Sequence, residues 1–320
     1  MKRGIQSTVR RTVQLGVTLV ELLVSLVLVS LITLAVLALY NTSAGAYRTT
    51  DANQELSDNA RFIFEIFSQS VRQAGLQDAA QYASFQAQNQ PVLAPSFIWD
   101  TARFGAQPAL FGYNNAKVAS TTSATDFGAN DNAGYNNSDV FGVRYFGSSK
   151  LSDASTADGS IIDCRGVGVP YPLNVGDIGL NLFMVATGAS GEPELQCINS
   201  GRAQAFPIVS GVESIQIMYG VDTDPTTDTT PNRWLNGKQV GDAGLWARVR
   251  TVRLGMVLRG ALGSGISLPN PPALYPLGEE FSKVGGSAPT EVGMTFTPPS
   301  DGRLRRVYTF NIAVRNTVEQ

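Results

Sequence analysis

Residues 17–40 read VTLVELLVSLVLVSLITLAVLALY, and the organisation of the whole chain follows from them. The stretch contains neither glycine nor proline, and its one charged residue is Glu21. As a helix it would rise about 36 Å, enough to cross a hydrocarbon core of roughly 30 Å. Lys2, Arg3, Arg10 and Arg11 precede it, and no cation follows until Arg48. That asymmetry predicts a cytoplasmic N-terminus with the rest of the chain exported. Residues 1–16 carry those four cations and no acid, so the remainder is more acidic than the whole chain's −2.

Two plainer readings compete. Ala44-Gly45-Ala46 offers an A-x-A site for a secretory signal peptide, and the helix would also serve as an unprocessed anchor. Against the first, the apolar run exceeds the usual 7–15 residues and contains a carboxylate. A carboxylate in hydrocarbon costs several kcal/mol and normally marks a function with a partner. Ser25 is the nearest polar side chain toward the C-terminus and supplies no charge. A new amino terminus at Val17, contributed by a neighbouring subunit, would. Glu21 would then be the fifth residue of the mature chain, at the favourable end of the helix dipole.

Gly16-Val17-Thr18-Leu19-Val20-Glu21-Leu22-Leu23-Val24 resembles the class III signal of type IV pilins and type II secretion pseudopilins. The resemblance implies that prepilin peptidase, a membrane aspartyl enzyme, cuts after Gly16 and methylates the Val17 amine. It also implies that Glu21 docks the subunit into a growing filament. Val17 stands where phenylalanine is usual.

Beyond the membrane span no proline appears before Pro91, so the helix is free to continue. Leu56, Ala60, Ile63, Phe67, Val71 and Ala74 step by four and three, forming one stripe of an amphipathic helix. Asp51, Glu55, Asp58, Arg61, Glu65 and Arg72 lie off the stripe, and Gly75 is a stop signal. Gly45 is a place for a bend. The boundaries are thus a cleaved basic leader at 1–16, a transmembrane segment at 17–40, an amphipathic continuation at 41–77 and an exported head at 78–320. Within the head, residues 112–138 are rich in Asn, Ser, Thr, Ala and Gly without periodicity and read as an exposed loop.

Strand patterns follow at Val140–Phe146, Ile178–Thr187, Glu194–Ile198, Val212–Tyr219, Thr251–Arg259 and Arg306–Arg315. Tyr308, Phe310, Ile312 and Val314 share one face, as do Val252, Leu254, Met256 and Leu258. The expected fold is α+β, type IV pilin-like, with the long N-terminal helix packed on an antiparallel sheet. Ser210–Asp224, Trp246–Leu254, Leu195-Gln196-Cys197 and Asp301–Tyr308 resemble the PilW-type minor pilins. Residues 78–138 match nothing comparable.

This resemblance implies a minor pilin that primes or caps a type IV pilus. Its partners would be other major and minor pilins, the prepilin peptidase and inner-membrane lipid. It would sit in the inner membrane of a Gram-negative bacterium with a periplasmic head, then in the pilus. A type II secretion pseudopilin shares the N-terminal features, and an adhesin or DNA-uptake pilin would add a ligand surface to them.

The absence of histidine removes Ser-His-Asp, Cys-His and most zinc chemistry. No catalytic constellation, cofactor motif or basic nucleic-acid surface is evident, so none is expected. Cys164 and Cys197, once exported, would meet an oxidising compartment that favours pairing; two buried thiols are the alternative. Asp222, Asp224 and Asp228 form an acidic loop with the alternation of a Ca2+ site. Pro225, Thr227 and Arg233 break that pattern, so a polar hairpin loop is the preferred reading and no metal is assigned. Arg303, Arg305, Arg306, Arg315 and the arginines of 248–259 would line either a subunit interface or a solvated strand face.

Overall fold

The computed structural model describes residues 16–95, 108–118, 130–199, 204–224, 230–282 and 292–316. Two compact units divide the chain, Met1–Thr50 and Asp51–Gln320. Helix α1 (Leu19–Gln73) begins in the first, continues through Gly45 and ends in the second. In the first unit the apolar side chains from Val17 to Tyr40 are all exposed. A helix apolar all round with nothing covering it is unstable in water and suited to lipid or to other helices.

In the second unit α1 buries Ala52, Leu56, Ala60, Ile63, Phe67 and Val71, followed by Ala74, as the four-and-three spacing predicts. Among the described residues eleven strands accompany it: β1 (Leu110–Tyr113), β2 (Val140–Tyr145), β3 (Ser149–Lys150), β4 (Asp153–Ala157), β5 (Gly179–Thr187), β6 (Pro193–Asn199), β7 (Phe206–Ser210), β8 (Val212–Val221), β9 (Arg233–Asn236), β10 (Val249–Arg259) and β11 (Arg305–Ala313). Short helices α2 (Ala79–Ala87), α3 (Gly237–Asp242) and α4 (Glu279–Ser282) lie in the same unit.

The head is α+β as expected, but its strands form two main sheets where one was anticipated. Their orders are β1-β2-β5-β6-β7 and β11-β10-β8-β9, with β3-β4 as a separate hairpin, all antiparallel. Gly211 is the physical reason for the split. At φ +83° it adopts the left-handed conformation that glycine accepts at least cost. Its N–H donates to Pro193 in the first sheet (2.7 Å), and its carbonyl accepts from Arg259 in the second (2.8 Å). One helix face covers both sheets. Phe67 stacks on Phe183 at 4.3 Å and on Phe141 at 5.6 Å, while Phe64 meets Phe310 at 4.7 Å.

The chain turns out of α1 at Gly75 (φ +71°), whose N–H donates to the Arg144 carbonyl at 2.9 Å. Asp78 then caps α2, accepting from the Ala80 and Gln81 N–H groups at 2.9 and 3.0 Å.

Residues 112–138 are not one exposed loop. Gly112 and Tyr113 belong to β1, and Asn114, Asn115 and Ala116 are buried; residues 119–129 lie outside the described residues. Two devices that composition hides hold this stretch in place. The Asp139 carboxylate accepts from Asn115 N–H (2.9 Å) and from Ile217 N–H in β8 (2.7 Å), linking the two sheets. The Phe111 ring lies over Gly142, its register partner, filling the space a Cβ would occupy.

Candidate functional site

The first candidate is the start of α1. Residues 1–15 lie outside the described residues, so the leader's cations are not placed. Gly16 and Val17 are exposed and precede the helix. Thr18 is its N-cap: the Thr18 Oγ1 accepts from the Glu21 N–H at 3.3 Å. Thr18-Leu19-Val20-Glu21 thus has capping-box spacing, a helix-start signal legible in the sequence itself. The Glu21 carboxylate sits in the first turn and has no ion-pair partner among the described residues.

The hydroxyls of this segment satisfy themselves. Ser25 donates to the Glu21 carbonyl (2.7 Å), Ser30 to Val27 (2.8 Å) and Thr33 to Val29 (2.7 Å). Such i−3 and i−4 bonds remove the cost of placing hydroxyls in hydrocarbon. Ser25 is therefore engaged with Glu21 through the backbone, and the carboxylate remains the one charged side chain of the span.

The second candidate is the disulfide region of the head. Cys164 and Cys197 are bonded, with Cα atoms 6.5 Å apart, joining the segment before β5 to β6. Beneath it lies a buried polar network absent from the sequence reading. Asn181, within β5, accepts from the Cys164 N–H and the Tyr145 hydroxyl, each at 3.0 Å, and donates to Ser70 on α1 at 3.0 Å. Burial pushes the Tyr145 hydroxyl well above its ordinary value, keeping it a neutral donor. Asp163 accepts from the Arg165 and Val167 N–H groups and from Asn199. The disulfide thereby sits on a hydrogen-bonded platform that ties α1 to the first sheet.

The third is an ion-pair cluster that answers the question of the C-terminal arginines. Glu213, whose side chain is 3% exposed, accepts from Arg305 at 2.6 Å and Arg259 at 3.0 Å. Arg305, 5% exposed, also binds Asp301 at 2.6 Å. Glu192 takes Arg259 at 2.6 Å and Arg303 at 2.9 Å. Hydrogen bonding from Arg305 holds the Asp301 carboxyl at about 2, and bonding from Arg259 lowers Glu192. Arg303 and Arg305 are thus engaged within the head: they clamp the entry of β11 to β8, β10 and the β5–β6 turn. Arg306 is exposed and donates to Asn53 of α1 at 3.0 Å; Arg315 is exposed.

The acidic loop is divided. Asp222 is buried and faces Arg250 at 3.8 Å; Thr223 bonds to Asn232; Asp228 lies outside the described residues. Among the described residues no group of three metal-ligating side chains converges.

Comparison with known proteins adds the following. No curated protein matches the chain. Among solved structures, a Type IV-like pilin, TTHA1219 from Thermus thermophilus, aligns with TM-score 0.37 and 10% identity. The alignment covers 82% of this chain and 97% of that one. The family model of Type IV Pilus-assembly protein W (PilW) matches residues 182–316. That stretch runs from within β5 through β11 and contains Cys197 and all of the ion-pair cluster, so over it the resemblance to the PilW family read from the sequence holds.

Proposed function

We propose that the chain is a minor pilin of a type IV pilus: cut after Gly16, methylated on the Val17 amine, held in the inner membrane by residues 17–40, and docked through Glu21 against the first residue of a neighbouring subunit. The observation that carries the reading is Glu21 itself, a carboxylate without an ion-pair partner among the described residues, on a helix whose apolar surface is uncovered. The family match over 182–316 supports a place in pilus assembly. Its other partners would be major and minor pilins through α1, prepilin peptidase and lipid, and its role would be structural. In a helix bundle an unpaired carboxylate is strongly unfavourable, and pairing with the methylated ammonium removes that cost.

The test is the N-terminal peptide mass from protein purified out of its native membrane. An N-methylated start at Val17 is expected, with Gly16→Ala leaving the leader attached. Glu21→Ala is expected to be processed normally and to lose assembly. A start at Met1 or at Tyr47, or normal filament incorporation of Glu21→Ala, would overturn the mechanism.

A further inference from the structure

Exposed strand edges invite pairing with other chains, and proteins normally blunt them. Three of the four ends of the two main sheets are blunted here. β1 and β9 are four residues each, and β7 carries Pro207 and a register break opposite Leu195 and Gln196. β11 differs: nine residues, without proline, in unbroken register with β10.

Hydrogen bonding fixes which of its groups are bare. The Val314 N–H donates to Arg250 (2.9 Å) and the Gly260 N–H to the Leu304 carbonyl (2.8 Å). In an antiparallel pair bonded positions alternate, so even-numbered residues of β11 bond to β10. The N–H and C=O groups of Arg305, Val307, Thr309, Asn311 and Ala313 point away from β10, with no backbone partner among the described residues. The strand is also anchored along its length. Its even side chains pack on α1, with Tyr308 bonded to Ser57 and Phe310 against Phe64, and Asn316 donates to the Arg72 and Ala74 carbonyls beyond its end.

We propose that the open edge of β11 accepts an added strand: an extended, carboxylate-bearing segment of a neighbouring subunit. This rests on the filament reading above. Backbone bonds would give the affinity and the flanking charges the selection. Arg306 and Arg315 are exposed, with no ion-pair partner among the described residues, and residues 305–315 contain no acid. A second copy is the poorer occupant. Antiparallel self-pairing centred on Thr309 would set Arg303 against Arg315 at both ends, and like charges opposite one another destabilise a ladder.

The test uses the full chain, free in detergent and in assembled filaments from native membranes. In the free chain the amides of Val307, Asn311 and Ala313 are expected to exchange fast and those of Phe310 and Ile312 slowly. In the filament the first set should slow by about tenfold or more. A photo-cross-linker at exposed Asn311 should join an Asp- or Glu-bearing segment of another pilin, with a yield that falls as salt rises. Ala313→Pro removes only an outward N–H, so it should cut that yield about tenfold while leaving the unfolding midpoint in place. Unchanged protection overturns the proposal and needs no variant to fold. A cross-link within the chain, to a second copy or to lipid also overturns it. The N-terminus of the same preparation separates the two readings. A processed, assembled chain with unprotected edge amides sinks the strand site alone, whereas an unprocessed, unassembled chain sinks both.

Discussion

Replacing Glu213 with glutamine removes the central charge of the ion-pair cluster at nearly constant volume. The glutamate accepts from Arg305 Nε (2.6 Å), Arg305 Nη2 (3.0 Å) and Arg259 Nη1 (3.0 Å). Glutamine keeps one acceptor oxygen and turns an NH2 donor toward guanidinium donors. Breaking a buried pair costs about 3–5 kcal/mol when the remaining charge is stranded. Neither arginine is stranded here, because Arg305 keeps Asp301 and Arg259 keeps Glu192. The expected loss is therefore about 2–3 kcal/mol. With a urea slope of roughly 2–3 kcal/mol/M, the midpoint should fall by about 1 M. Tryptophan fluorescence of the full chain in detergent reads it, since Trp246 meets Tyr219 edge-on at 5.0 Å. Removing the facing charge as well, in Glu213→Gln with Arg305→Met, should recover part of the loss. A single-variant shift below about 0.2 M at constant slope would show that the cluster does not hold the head together.

Acid should weaken the head through the same groups. Asp301 sits at about 2 in the folded chain against an ordinary 3.8, so its contribution is fully present above 3.8 and is lost as pH falls toward about 2; Glu192, also lowered, acts in the same direction. Urea midpoints followed downward from neutral pH check this, and Asp301→Asn should flatten the most acidic part of the curve. Cys164→Ser should cost about 3–4 kcal/mol by reopening the loop to Cys197, and a reductant should reproduce the loss in the wild type while leaving the variant unchanged. Phe67→Ala empties the contact of α1 with Phe141 and Phe183 and should cost about 3–5 kcal/mol; a midpoint close to wild type would mean the helix is not packed as described.

Periodicity made the long elements legible. The stripe from Leu56 to Ala74 is buried throughout, and the β10 set Val252, Leu254, Met256 and Leu258 faces the core. Each strand expected from alternation is present within a few residues of its expected bounds. The short strands at Leu110–Tyr113, Phe206–Ser210 and Arg233–Asn236 were not legible, because four or five residues are too few to establish a period of two. The split into two sheets depends on the backbone angle of one glycine among thirty-two, which composition does not single out. The polar networks were hidden for another reason. Asn181, Asp139 and Glu213 resemble surface residues until the chain folds and brings partners distant in sequence to them. Of the candidate site, Glu21 was legible because a carboxylate in an apolar run is anomalous wherever the run lies.

The clamp and the open edge constrain one another. An edge strand that frays cannot template a partner strand, because ordering it on binding would cost about 1–2 kcal/mol per residue in backbone entropy. β11 is already ordered before any partner arrives. Arg305 fixes its first residue through Glu213 and Asp301, the side chains of Arg306, Tyr308 and Phe310 hold it along α1, and Asn316 ties its exit to the end of that helix. The same α1 that carries Glu21 in its first turn thus supports, in about its last six turns, the one long strand edge left unblunted among the described residues. A substitution in the clamp should therefore weaken partner capture more than a loss of global stability alone explains. Glu213→Gln, studied at a urea-free temperature where the head stays folded, should speed amide exchange at Tyr308 and lower the Asn311 cross-link together. If exchange at Tyr308 quickened while the cross-link held, a preordered β11 would not be a requirement for capture.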